Sequence, residues 1–158
     1  MVSSRQRDSG YTYLGLLLAI LLLGTSLAGA GTLWTAERQR ERERELLHIG
    51  HKFRVAIGQY YKRTRGAIKQ FPPNLEALLR DERYPVPRWY LREIYLDPFT
   101  GARNWGMVEA PSGGIMGIYS LSSQRTFKRT NFRERDMYLK GKTYTGEWMF
   151  VYIPEERT

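Results

Sequence analysis

The chain has 158 residues, no cysteine and a formal net charge of +9 at neutral pH. The lack of cysteine excludes disulfides, thiolate metal sites and cysteine nucleophiles. Eleven tyrosines and four tryptophans provide enough aromatic surface for a compact core, so we expect one small folded domain rather than a disordered chain. The positive charge would suit nucleic acid, anionic lipid or an acidic protein, and it does not choose among them.

The N-terminal part of the chain contains a long uncharged stretch, from residue 9 to residue 36. As a helix that rises about 1.5 Å per residue, this stretch is long enough to cross a hydrocarbon layer about 30 Å thick. The sequence therefore predicts a transmembrane helix over residues 11 to 36. Small residues recur four positions apart, a spacing that allows close contact between helices. They are Gly15 with Ala19 and Gly24 with Ala28.

Three kinds of N-terminal segment fit this apolar stretch. A cleaved signal peptide would use Arg5 and Arg7 as its charged region and the sequence Ala28-Gly29-Ala30 as its cleavage site. A signal anchor would keep the whole segment. A third kind loses only a short polar leader and keeps the apolar helix on the mature protein.

The residues around Gly10 favour the third kind. A polar leader, residues 1 to 10, ends at Gly10 and is followed by the aromatic Tyr11 and an unbroken apolar run. In this order the chain resembles the type IV pilin and type II secretion pseudopilin superfamily. The resemblance implies that prepilin peptidase cleaves after Gly10 and that the new N-terminus, Tyr11, is methylated. The family usually has Glu at the fifth mature position, where this chain has Gly15, and some minor pseudopilins that cap a fibre also lack the acid.

A charged collar and an amphipathic helix follow, over residues 37 to 64. Residues 37 to 45 interleave four Arg with four Glu, which predicts a strongly solvated helix. An apolar stripe then recurs at helical spacing and is expected to dock on a globular domain. Its members are Leu46, Ile49, Phe53, Ile57 and Tyr60. We therefore expect one continuous helix from about Thr12 to Arg63, which a removed signal peptide would not require.

The orientation implied by the resemblance conflicts with one sequence rule. A cytoplasmic N-terminus should carry more Lys and Arg than the far side of the membrane. Here the collar supplies four Arg after the apolar stretch, against two before it.

The sequence pattern over residues 65 to 158 predicts a small α+β head. A short helix is expected from about Leu75 to Arg80, followed by a turn at LDPFTG. Strands are expected over residues 104 to 109, 115 to 121 and 148 to 153. This order, with a GG turn leading into GIYSLS, resembles the major pseudopilin of type II secretion. The fold expected is α+β and pilin-like: one long N-terminal helix, with a transmembrane half and an amphipathic half, packed on a small antiparallel sheet with a short extra helix.

The sequence offers no catalytic constellation, so we expect neither an enzyme nor a cofactor. His48 and His51 are three residues apart, but they are predicted to be exposed and to lack a third metal ligand. The family often binds calcium near the stretch matching GIYSLS, where this chain has serines instead of carboxylates, so no metal is expected. The loop over residues 122 to 146 is rich in Lys and Arg, and it is either a solvated, partly mobile surface or a docking surface for an acidic partner.

The resemblance implies a structural subunit of a type II secretion pseudopilus. The subunit would be a single-pass protein of the bacterial inner membrane, with its N-terminus in the cytoplasm and its head in the periplasm. Its partners would be prepilin peptidase, other pseudopilin subunits and an inner-membrane assembly platform, and nucleic acid is not expected. Subunits would assemble through five positions: Tyr11, Gly15, Ala19, Gly24 and Ala28.

Two alternatives to this function stay open. One is a minor pilin of a type IV or DNA-uptake pilus, whose basic head touches phosphate backbones. The other is a secreted basic binding protein from which a signal peptide has been removed.

Overall fold

The computed structural model describes residues 9 to 154, and within its first helix the side chains at 9, 10 and 24 to 33 lie outside that description. The chain is α+β, as predicted, with one long helix and a three-stranded antiparallel sheet. The chain divides into two compact units, and the boundary lies between Gln39 and Arg40. The elements in chain order are α1 (Ser9–Arg63), α2 (Glu76–Leu79), β1 (Gly106–Glu109), β2 (Ile115–Tyr119), 3₁₀ helices at Glu134–Leu139 and Thr145–Glu147, and β3 (Phe150–Val151).

The long helix α1 ends where the sequence predicts, and it begins three residues before the expected Thr12. Its last turn carries Lys62 and Arg63, whose charges suit the partial negative charge at the C-terminus of a helix. The hydroxyl of Thr64 donates to the carbonyl of Tyr60 at 3.2 Å. This bond satisfies one of the free carbonyls of the last turn and closes the helix.

The predicted apolar stripe of α1 forms the centre of the core. All five of its members are at most 4% exposed. The ring of Phe53 lies 5.5 Å from that of Trp105, centroid to centroid, and Ile118 and Phe150 of the sheet are fully buried in the same cluster. Each such side chain contributes roughly 1.5 to 3 kcal/mol when buried. The stripe therefore holds the small sheet against the helix.

The sheet has the strand order β1-β2-β3. Two residues of β2 are paired on both sides: Ile118 with Met107 and Phe150, and Gly117 with Val108 and Val151. The expected GG turn joins β1 to β2, and Gly113 and Gly114 there adopt φ values of 85° and 82°, which favour glycine. All three strands are shorter than predicted, since only part of each predicted segment is paired in the sheet.

Two kinds of short helix interrupt the rest of the chain. The predicted short helix is present as α2, one residue shorter at each end, and the side-chain oxygen of Asn74 accepts the N–H of Ala77 at 2.9 Å near its start. The two 3₁₀ helices lie in and beside the loop over residues 122 to 146. The sequence analysis missed both of them.

The closest approach of the sheet to α1 is at Gly50, which generates a test of the fold. A Cβ atom added there would lie 2.3 Å from the ring of Phe150, whereas one added at Gly15 of the same helix would meet nothing within 4 Å. We expect Gly50→Ala to lower the free energy of unfolding by about 1 to 3 kcal/mol, because a packed ring has to move. Gly15→Ala is the matched control, because both variants gain the helix preference of alanine, about 1 kcal/mol, but only Gly50→Ala meets a packed ring; Gly15→Ala should therefore not lower the free energy of unfolding.

The measurement is denaturant unfolding of the full chain in neutral detergent, followed by tryptophan fluorescence. Equal unfolding midpoints for the two alanine variants would contradict the close packing of Phe150 on Gly50.

Candidate functional site

The first turns of α1 carry large apolar side chains on every side. In this apolar segment, residues 11 to 23, the exposed fraction of the large side chains ranges from 47% at Leu17 to 80% at Tyr11. Consecutive residues such as Leu16, Leu17 and Leu18 point in different directions around a helix. A helix that is apolar all round is stable only in apolar surroundings. The apolar segment therefore needs a covering that the chain itself does not provide in its described residues.

Three of the predicted assembly residues follow one another on a single face of this segment. Tyr11, Gly15 and Ala19 are four positions apart and all exposed, and residues at this spacing lie one above another on a helix. No described atom lies within 4 Å of a Cβ placed on Gly15, so this face is open. The burial of the other predicted positions, Gly10, Gly24 and Ala28, lies outside the described residues.

The predicted span over residues 11 to 36 includes the undescribed side chains of residues 24 to 33. Over the part of the chain that the structure does describe, no helix combines the length and the apolar character needed to cross a membrane.

The charged collar contains one exception to the predicted solvation. Glu43 is only 2% exposed, and its carboxylate accepts the N–H of Phe127 at 2.6 Å and the N–H of Lys128 at 3.0 Å. Such charge-assisted bonds are stronger than bonds between neutral groups. The prediction of a uniformly solvated collar is therefore wrong at Glu43. The signal was present in the sequence, since Glu43 precedes Leu46 by three residues and extends its stripe.

Arg54 of α1 provides a second anchor for the loop over residues 122 to 146. Its guanidinium donates to the side chain of Asp136 and to the carbonyl of Arg135, both at 3.0 Å, and also to the hydroxyl of Tyr138. Asp136 is 3% exposed. The loop carries exposed basic side chains, and its backbone is tied to α1 at two points, by Glu43 and by Arg54.

The two histidines differ in environment. His48 is exposed, as predicted, but His51 is half-buried, and its Nδ1 atom has no hydrogen-bond partner among the described residues. Burial lowers the pKa of His51, and the nearby Arg135 and Arg54 lower it further. The prediction that both histidines are exposed is therefore wrong for His51. Within residues 9 to 154, no three His, Asp or Glu side chains are grouped closely enough to hold a metal ion.

The motifs LDPFTG and GIYSLS meet in the structure through a buried hydrogen bond. The hydroxyl of Ser120 donates to the carboxylate of Asp97 at 2.6 Å, and both residues are fully buried. The other carboxylate oxygen of Asp97 accepts the N–H of Phe99 at 2.9 Å. Ser120, which stands where calcium would favour a carboxylate, thus joins the turn to the end of β2. Sequence reasoning identified both motifs but did not predict this contact.

Comparison with protein-family models, with curated proteins and with solved structures gives no match to this chain.

The buried carboxylate of Glu43 provides a test of the loop anchor. We expect Glu43→Gln to lower the free energy of unfolding by about 1 to 3 kcal/mol, because the amide loses a charged acceptor and buries N–H groups against two backbone donors. Glu45→Gln is the matched control, since Glu45 is exposed on the same helix, and it should change stability by less than about 0.5 kcal/mol.

Denaturant unfolding of both variants in neutral detergent gives the comparison. Backbone hydrogen exchange at residues 127 and 128 should also rise in Glu43→Gln alone. The same small effect from both glutamines would show that Glu43 does not hold the loop.

Proposed function

We propose that this chain is a structural subunit of a pilin-like fibre, and specifically of a type II secretion pseudopilus. The observation that carries the proposal is the apolar segment, which is exposed on all faces but continues in the same helix, α1, as the buried stripe. A helix of this kind needs an apolar environment at one end. Lipid would provide it before assembly, and the helices of neighbouring subunits would provide it in the fibre.

The open face at Tyr11, Gly15 and Ala19 fits helix packing between subunits. Small residues four apart let helix backbones approach closely, and packing rather than hydrophobic transfer favours association in lipid. Moving the apolar segment from lipid into a fibre therefore gains little hydrophobic free energy. An assembly platform that uses ATP would supply the work of lifting subunits from the inner membrane, and fibre growth would push exported proteins outward.

The processing expected of such a subunit follows from Gly10 and Tyr11. Prepilin peptidase would remove residues 1 to 10 on the cytoplasmic face and leave Tyr11 as a methylated N-terminus, with the apolar segment retained. The chain itself performs no chemistry in this proposal, since it acts as the substrate of the peptidase and methylase.

A second candidate function is supported by the basic loop over residues 122 to 146. A minor pilin of a type IV or DNA-uptake pilus could use these cations to contact phosphate backbones, with a strong dependence on salt. A secreted basic protein is the remaining alternative, and it would lack the apolar segment entirely after signal-peptide removal.

The mass of the mature chain tests the proposal. In a bacterium that contains a prepilin peptidase, we expect membranes to yield a chain that begins with N-methylated Tyr11. Gly10→Leu should retain the leader, because the bulkier side chain blocks cleavage after residue 10, whereas Ser9→Ala should be processed normally. Intact-mass spectrometry distinguishes these products. A mature chain that begins at Gly31 would refute the proposal and support a cleaved signal peptide.

A second test concerns Gly15 and the position of the subunit in the fibre. We expect Gly15→Glu to reduce fibre yield and Gly15→Gln, of similar size, to retain it. The reason is that a carboxylate in apolar surroundings is costly without a paired charge, and no described atom near Gly15 offers one.

Fibre yield and export of secreted protein are measured side by side for the two variants. Equal loss in both would indicate steric crowding at a close helix contact. Higher yield with Glu alone would mean that a neighbouring N-terminus pairs with the acid, as in a major subunit.

A further inference from the structure

A concave basic surface lies between α1 and the loop over residues 122 to 146. This basic groove has a volume of about 300 Å³ and is open to solvent on one side. Most of the polar side chains that line it are cationic. They are Arg44 of α1 and Lys128, Arg133 and Arg135 of the loop; the other polar side chains of the lining are His48, Asn131 and the one acid, Asp136.

The single acid of the basic groove is already neutralised. Asp136 forms an ion pair with Arg54 at 3.0 Å and a longer one with Arg135 at 3.5 Å. By contrast, no acidic side chain among residues 9 to 154 forms an ion pair with Lys128 or Arg133. Arg44 is paired with Glu41, which lies outside the groove lining, at 2.7 Å. The positive charge that remains available in the basic groove is therefore that of Lys128 and Arg133.

The backbone that carries these cations is fixed on both sides of the groove. Glu43 binds the N–H groups of Phe127 and Lys128, and Arg54 binds the carbonyl of Arg135 and the side chain of Asp136. The segment between these anchors is only a few residues long. Binding an anion would therefore order the cationic side chains but not the backbone that carries them, which lowers the entropic cost of binding.

The walls of the basic groove are partly apolar. Leu47 is half-buried and Phe132 is 8% exposed, and the ammonium of Lys128 lies 5.3 Å from the centre of the Phe132 ring. A phosphate group would use the cations but would gain nothing from Leu47 and Phe132. A peptide that carries both acidic and apolar side chains would use both parts of the lining. Its carboxylates would bind the guanidinium groups in a planar, two-point manner, and its apolar side chains would contact Leu47 and Phe132.

We propose that the basic groove docks an acidic peptide segment of a protein partner, with carboxylates on Lys128 and Arg133 and an apolar side chain against Phe132. This interaction surface goes beyond the fibre assembly proposed above and does not depend on it. Because the attraction is partly screened at the surface, the affinity should be modest and should fall as salt rises.

The test uses the full chain in neutral detergent and a fluorescein-labelled peptide of alternating Glu and Leu. We expect saturable binding by fluorescence anisotropy that weakens with added NaCl and is absent for a matched peptide of alternating Gln and Leu. The double variant Lys128→Ala with Arg133→Ala should weaken binding roughly tenfold or more, because each removes a charge-assisted contact.

Arg92→Ala is the matched control, since Arg92 is an exposed cation that does not line the basic groove, and it should change the affinity less than about twofold. The double variant should keep its unfolding midpoint, because Glu43 binds backbone N–H groups rather than these side chains. The conservative double variant Lys128→Arg with Arg133→Lys should recover most of the binding.

Three results would overturn the proposal. One is equal binding of the Glu and Gln peptides, and another is equal loss in the double variant and in Arg92→Ala. The third is displacement of the labelled peptide by inorganic phosphate or a short DNA duplex at a concentration below that of the peptide. Such displacement would show that the basic groove prefers phosphate groups to carboxylates. All of these outcomes are independent of leader cleavage and fibre yield, so failure here leaves the proposed function to its own tests.

Discussion

The buried stripe of α1 is the constraint on which the rest of the described globular part depends. Phe150 can enter the core only because Gly50 leaves room for its ring, and Phe150 in turn pairs with Ile118 to place the sheet. The same helix carries both loop anchors. Glu43 and Arg54 are eleven residues apart, which is close to three full turns, so they lie on nearly the same line of the helix about 16 Å apart.

This arrangement explains which parts of the fold the sequence could predict. The stripe was predictable because its apolar side chains repeat at the helical period over several turns. The spacing of Glu43 to Leu46 placed it on the line of the stripe, but its hydrogen-bond partners and those of Arg54 were not predictable, because they lie more than eighty residues away in the sequence. The 3₁₀ helices are too short to produce a periodic pattern.

The candidate functional surfaces could be predicted from the sequence only in part. The spacing of Tyr11, Gly15 and Ala19 already indicates one helix face, and the structure adds that this face is open. The basic groove was only partly foreseen, as a cationic loop of uncertain role. What the sequence lacked was the partner wall: Arg44, Leu47 and His48 come from α1, and only the two anchors bring them opposite the loop. A concave site built from two distant segments leaves no local pattern.

The hydrogen bonds of the globular part also bear on the calcium that the resembled family often binds. Two buried carboxylates are already engaged: Asp97 accepts from Ser120 and Phe99, and Asp136 accepts from Arg54. Calcium prefers six to eight oxygen ligands, several of them carboxylate. An ion at either residue would have to displace these donors and leave buried polar groups unpaired. The loop over residues 122 to 146 is held to α1 by hydrogen bonds from backbone N–H groups to Glu43 and from the Arg54 guanidinium to Arg135 and Asp136. An Arg–carboxylate anchor of this kind suits a surface whose remaining cations stay available to bind a partner.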